Sequence, residues 1–165
     1  MTEEEKAYLA GFIDGEGSIM LSGRKGGGWS AGSGKVYYGL RIIVTQTNLA
    51  ILEVMRKMTT LGTIVKGHAA TDVRACSFQW RLDHYDAIAL LEQIRPYLIL
   101  KKPQAELALY FADFKAKQQP KRKKRGAVAP LYDYRLFEAF KTRMHALNKR
   151  GPRPAGPKQP AGSGA

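Results

Sequence analysis

A helix with one face almost bare of side chains is the feature that most limits what this chain can fold into. Thr2, followed three residues later by Glu5, makes a capping box: hydroxyl and carboxylate satisfy orphan amides of a helix starting near Glu3. Ala7, Gly11 and Gly15 then recur at four-residue spacing. Each glycine inside a helix costs about 0.5–1 kcal/mol relative to alanine. Two of them on one stripe imply that another backbone approaches that face closely. Leu9, Phe12 and Ile13 lie opposite, at the spacing of a core-facing stripe. Asp14 and Glu16 come at the bottom, and Gly17-Ser18 ends the helix. Acids at a helix C-terminus oppose the macrodipole. A bound cation explains them better than stability does.

Composition narrows the class of partner. The 165 residues suit one domain, and 44% of them are hydrophobic, enough for a real core. The formal charge of +13 and the isoelectric point of about 10.0 point to a polyanion. An RNA-binding or ribosomal protein fits that charge equally, so it supports the class and not the chemistry. Cys76 is the only cysteine, which excludes an intrachain disulfide and a zinc cluster built on thiolates. Met1 to Lys6 runs into acids rather than the basic start of a signal peptide. No apolar run reaches the length of a membrane span. The expectation is an intracellular protein (cytoplasmic, nucleoid or organellar), not secreted and without a membrane partner.

After Ser18 the period changes from helical to alternating. Ile19 and Leu21 face one way, Met20, Ser22 and Arg24 the other. The glycine-rich stretch 26–34 reads as a long hairpin loop. The return strand, Lys35 to Gln46, sends Leu40, Ile42 and Val44 to the core and Tyr37, Gly39, Arg41, Ile43 and Thr45 outward. Asn48 starts a second helix with Leu49, Leu52, Met55 and Met58 on its apolar side, closed by Leu61-Gly62. Thr63 to Lys66 and Ser77 to Leu82 form a second hairpin. Phe78, Trp80 and Leu82 are its buried face, with Ser77, Gln79 and Arg81 outward. In its first strand the register stays open between Val65 with Gly67 and Lys66 with His68. Asp86 to Ile94 is a third helix, with Ile88, Leu91 and Ile94 inward. Gln104 to about Lys117 is a fourth, with Leu107, Tyr110, Phe111 and Phe114 as its stripe.

The run Leu9-Ala10-Gly11-Phe12-Ile13-Asp14-Gly15-Glu16-Gly17 resembles the signature of the LAGLIDADG homing endonucleases. The likeness covers Tyr8 to about Phe114 in pattern, and its other echoes are Val44-Thr45-Gln46 and Arg95 to Lys101. It implies an α+β fold of order αββαββα, with a saddle-shaped antiparallel sheet packed against helices. In the family two such helices pack through their small residues, which here makes Ala7, Gly11 and Gly15 the dimer interface. Divalent metal, Mg²⁺ by the hardness of the oxygen donors, is then held at Glu16 and Gly15. By the same resemblance Glu16, Gln46 and Lys101 are the catalytic set. Arg24, Tyr37, Arg41, Gln79, Arg81 and Lys102 are the DNA contacts. Some members add an arginine where Ala50 stands, so phosphate stabilisation falls here to Lys101 or Lys102. His68, His84 and His145 show no ligand spacing.

No second copy of the motif follows Ser18, so one chain supplies half a site. The reading is a homodimeric, metal-dependent endonuclease acting on double-stranded DNA, of the kind borne by mobile introns. The alternatives are an intron RNA maturase, whose partner is intron RNA, and a DNA-binding regulator that does not cleave. The expected organisation is a core over 1–118, a basic linker over 119–130, a C-terminal helix over 131–148 and a disordered tail over 149–165. Lys115 to Arg125 carries seven basic residues and no acid, and without it the net charge would be +6 instead of +13. That run reads as unstructured and as a contact for phosphates outside the sequence-reading surface.

Overall fold

The computed structural model describes residues 1–25, 36–71, 75–118 and 134–149. Helix α1 (Glu3–Glu16) opens with the capping box in both directions: Thr2 N donates to Glu5 Oε2 at 2.8 Å and Glu5 N to Thr2 Oγ1 at 3.3 Å. The chain then passes into strands β1 (Gly17–Lys25) and β2 (Val36–Gln46), helix α2 (Leu49–Thr59), and strands β3 (Thr63–Lys66) and β4 (Phe78–Asp83). Helices α3 (Tyr85–Ile94), α4 (Lys102–Gln118) and α5 (Tyr134–Leu147) follow, with a 3₁₀ turn over Arg95–Tyr97. The strands form one antiparallel sheet in the order β1-β2-β4-β3. The architecture is therefore α+β, a four-stranded antiparallel sheet with five helices among the described residues, and its first seven elements run αββαββα.

Alternation along each strand divides the sheet cleanly. Ile19, Leu21, Leu40, Ile42, Val44, Trp80 and Leu82 are buried under the helices with Leu9 and Ile13 of α1 and Leu52 and Met55 of α2. Each fully buried aliphatic side chain contributes about 1.5–3 kcal/mol, so this face holds the molecule together. The open register of β3 resolves through its pairing: Ile64 lies opposite Trp80 and Val65 opposite Gln79. Cross-strand partners share a face, so Val65 points outward with Gln79.

Several boundaries and faces differ from the expectation. Strand β4 starts at Phe78, and Ser77 is buried rather than outward, because its Oγ accepts the His68 amide at 3.0 Å. Helix α4 starts at Lys102, since Pro103 in a first turn removes only an amide that has no intrahelical partner. Its buried column is Gln104, Ala105, Ala108, Phe111 and Ala112, while Tyr110 is 62% exposed. Lys115 and Lys117, read as part of an unstructured run, lie in the last turns of this helix. The rest of that run, from residue 119, lies outside the described residues, as do the hairpin loop 26–34 and residues 150–165. Helix α5 sends Phe137 and Met144 into the same core and packs on β1 and α4.

The turn from α2 into β3 depends on local chemistry. Thr60 takes the left-handed conformation at the helix end (φ 55°) and Gly62 follows at φ 73°. A Cβ on Gly62 would sit 2.6 Å from Arg81 O and 2.7 Å from Trp80 Nε1. That indole donates to Leu61 O at 3.0 Å, and Gly62 N donates to Asp86 Oδ2 at 3.0 Å. Gly62→Ala is expected to destabilise the chain by about 1–3 kcal/mol, read as a lower urea midpoint. An unchanged midpoint would show that the turn relaxes freely.

Candidate functional site

The two acids at the end of α1 have different fates. Residues two apart on a helix lie about 200° around its axis, so if one faces inward the other faces out. Asp14 is buried, 8% exposed, and its carboxylate accepts three backbone amides. Ile99 N and Leu100 N reach Oδ2 at 2.7 and 3.1 Å, and Lys101 N reaches Oδ1 at 2.8 Å. The Lys101 ammonium donates to the backbone carbonyl of Asp14 itself. For Asp14, backbone amides replace the cation that the sequence suggests. Glu16 is exposed at the α1–β1 junction, and its carboxylate has no hydrogen-bond or ion-pair partner among the described residues.

The face of α1 turned away from the core is open. Ala7, Gly11 and Gly15 are exposed, and a Cβ on either glycine would meet nothing within 4 Å. Tyr8, 44% exposed, continues the same open side, and Ile99 and Leu100 stand exposed at its foot beside the Asp14 clamp.

The outward face of the sheet carries polar pairs set by register. Met20, Arg41 and Asp83 lie in one cross-strand row, and Ser18, Ile43, Arg81 and Thr63 in the next. Arg41 Nε pairs with Asp83 Oδ1 at 2.5 Å. Arg81 donates from Nε and Nη2 to Gln79 Oε1 at 3.0 and 2.6 Å. Tyr37 is 58% exposed and lies opposite Arg24 in the register of β1 and β2.

The sequence profile described as LAGLIDADG endonuclease matches residues 9–117. The chain belongs to the LAGLIDADG endonuclease family. No curated protein sequence matches it. Among solved structures, the homing endonuclease I-CvuI in complex with its target in the presence of 2 mM Ca is similar over 91% of this chain and 100% of that one, at 20% identity and a TM-score of 0.58. An archaeal intron-encoded homing endonuclease complexed with DNA is similar over 87% of this chain and 98% of that one, at 17% identity and a TM-score of 0.58. These likenesses show the LAGLIDADG fold in this chain.

Within that fold the candidate residues gather in two places. Glu16, Gly15, Lys101 and Lys102 cluster where α1 meets the turn entering α4, with Lys102 exposed as the first residue of that helix. Gln46 ends β2, two residues beyond the Gly17–Val44 pair, and so lies at the same end of the sheet. Tyr37, Arg41, Gln79 and Arg81 belong to the outward face, and Arg24 stands opposite Tyr37 in the strand register. Two features escaped sequence reading. The Asp83 carboxylate beside Arg41 is visible only once register is known. The Asp14 clamp had a negative signal: no Ser, Thr, Asp or Asn stands between Leu98 and Gln104 to accept the amides of the turn into α4.

Perturbed titrations lie elsewhere in this LAGLIDADG chain. The Tyr38 hydroxyl is pushed up to about 12, first by burial and then by its bond to Glu138 Oε2 at 2.8 Å. Burial also holds the Lys115 ammonium below its ordinary value, where its Nζ donates to Tyr38 O at 2.7 Å. Burial and the nearby Lys115 charge depress His84. Tyr38 lies eight residues from Gln46 along β2, roughly 26 Å at strand rise. This cluster ties α4 and α5 to the far end of the sheet, and it marks a packing site rather than the acid end of α1. A cavity of about 240 Å³ between β1 and α5, lined by Met20, Leu21, Lys141, Thr142, His145 and Asn148, touches none of the residues at the α1 end.

The open glycines give a direct test. Gly11→Ala and Gly15→Ala should each stabilise the isolated chain by about 0.5–1 kcal/mol through helix propensity, measured by urea denaturation at high dilution. A loss of stability at high dilution would mean that the face is covered within the single chain.

Proposed function

We propose that this chain is a site-specific double-strand DNA endonuclease that works as a homodimer on a long pseudo-palindromic site with Mg²⁺. The observation that carries the reading is the exposed Glu16 carboxylate, without a partner among the described residues, at the end of a helix whose small-residue face those residues leave bare. Family membership supports it, as do similar folds solved on DNA and a formal charge of +13. Two copies of α1 packed through Ala7, Gly11 and Gly15 bring two Glu16 carboxylates together. The outward sheet faces, bearing Arg24, Tyr37, Arg41, Gln79 and Arg81, then lie along the major groove, which admits a β-ribbon and distinguishes all four base pairs. Arg81, oriented by Gln79, is the better base reader of the two sheet arginines, because Asp83 partly neutralises Arg41.

The donor set fits a hard cation. Among the described residues no three His, Cys, Asp or Glu side chains cluster. Glu16 and the Gly15 carbonyl of each chain are the oxygen donors that would hold such an ion, and Mg²⁺ prefers oxygen ligands and retained waters. When bound, the ion would stabilise charge on the phosphate and provide a more acidic water. Gln46 would hydrogen-bond solvent at this end of the sheet, and Lys101 would place a positive charge beside the phosphate, with Lys102 next to it. Of the basic run, Lys115 is committed to the Tyr38 carbonyl and Lys117 to Asp113, so the phosphate contacts outside the sequence-reading surface fall to Lys121 to Arg125.

Glu16→Gln keeps the side chain's shape and removes its charge. Cleavage of a duplex selected from a randomised palindromic library should fall to background in Mg²⁺, while binding in Ca²⁺ is retained. Near-normal cleavage by this variant would remove Glu16 from the site. Assembly is tested separately. A Cβ at Gly15 meets nothing within 4 Å among the described residues, yet in Gly15→Leu overpacking a close helix contact costs about 1–3 kcal/mol and a two-fold axis applies it twice. The variant should be a folded monomer by sedimentation and inactive in cleavage. A dimeric, active Gly15→Leu would show that the subunits meet elsewhere.

A further inference from the structure

The Asp14 clamp has a geometry that stability alone does not require. Its carboxylate gathers three consecutive amides, those of Ile99, Leu100 and Lys101, and the last of these residues turns its ammonium onto the Asp14 carbonyl. The same residue thus holds the Lys101 backbone through its side chain and the Lys101 side chain through its backbone. That carbonyl belongs to the last turn of α1, two residues before Glu16. The segment that receives the clamp carries no capping residue of its own between Leu98 and Gln104. The Lys101 amide and ammonium both meet Asp14, while its carbonyl accepts the Ala105 amide at 2.9 Å, so this residue joins the end of α1 to the first turn of α4.

We propose that Asp14 is a positioning residue: its carboxylate fixes the 99–101 backbone to the last turn of α1 and so delivers the Lys101 ammonium to the phosphate cleaved beside Glu16. This assignment rests on the nuclease reading of the Glu16 site. Three of the roughly four acceptor sites of the Asp14 carboxylate are taken by amides, so the proposed role is exerted through the 99–101 backbone. Because α1 also carries the bare face, Lys101 is indexed to the same helix that would set the two-fold axis. The phosphate-side charge and the Glu16 carboxylate then move together if α1 shifts.

Two measurements test this with the full-length chain. In the DNA-free protein, hydrogen exchange of the 99, 100 and 101 amides should be slow in the wild type and accelerate in Asp14→Asn, whose carboxamide turns a donor toward one of those amides. Equal exchange in the two proteins would overturn the clamp. The second measurement is a double-mutant cycle on single-turnover cleavage of the selected palindromic duplex, at saturating protein in Mg²⁺. Asp14→Asn should cleave about a hundredfold more slowly, the penalty of a misplacement of about 1 Å, with affinity in Ca²⁺ and sedimentation unchanged. Lys101→Met should be at least as slow, and the double variant no slower than Lys101→Met, because residues acting as a unit are non-additive. Losses that multiply in the double variant would show that Asp14 acts independently of Lys101 and overturn the positioning role. A wild-type protein that cleaves no duplex would overturn the nuclease reading and this role with it, whereas wild-type cleavage with multiplied losses overturns the role alone.

Discussion

Three backbone amides converging on one buried carboxylate join the end of α1 to the start of α4, and much of the molecule depends on that junction. A hydrogen bond to a charged group contributes about 1.5–3 kcal/mol, and Asp14 accepts three of them within 2.7–3.1 Å. The carboxylate needs this set, because burial of an unpaired charge would cost far more than the fold can offset. The helical period then dictates the rest: with Asp14 turned in, Glu16 is turned out. One acid is satisfied by the fold, and the other stays exposed without a partner among the described residues.

Helix α1 works at two interfaces at once. Leu9, Ala10 and Ile13 are buried in the core beneath the sheet, while Ala7, Gly11 and Gly15 stay open. A glycine with nothing within 4 Å of its Cβ position gains no steric relief inside the monomer. Its helix-propensity penalty therefore has no compensation within the described residues. Close approach of a second backbone, as in the proposed dimer, is the physical role such residues serve, and the sheet's outward arginines lie on the surface that such a dimer would present to DNA.

Shifted titrations often mark chemistry, but at Tyr38, Lys115 and His84 they mark packing. All three are displaced chiefly by burial, at the end of β2 far from Gln46. Strand β4 ends at Asp83, opposite Arg41, and after His84 N donates to Leu40 O at 2.8 Å no described strand pairs with β2 on that side. The Lys115 ammonium reaches the Tyr38 carbonyl there and satisfies an acceptor that no strand covers. Charged groups on strand edges serve this protective purpose widely. The acid end of α1 carries its identity in motif and exposure instead.

Periodicity alone determined most of the fold: the bare helix, two hairpins with their buried faces, and four further helices follow from spacings of four and two, which neighbouring residues impose directly. The nine-residue run ending at Gly17 likewise identified the family and singled out Glu16. The β3 register, the burial of Ser77, the exposure of Tyr110 and the Arg41–Asp83 pair were decided by tertiary structure, because each depends on which residue a distant segment sets opposite. Asp14 is the sharpest case. Sequence could show an acid misplaced against its own helix dipole, but its partners lie 85 to 87 residues away. Only the fold brings those amides to it, since hydrogen bonds of that range are set by packing and leave no local pattern.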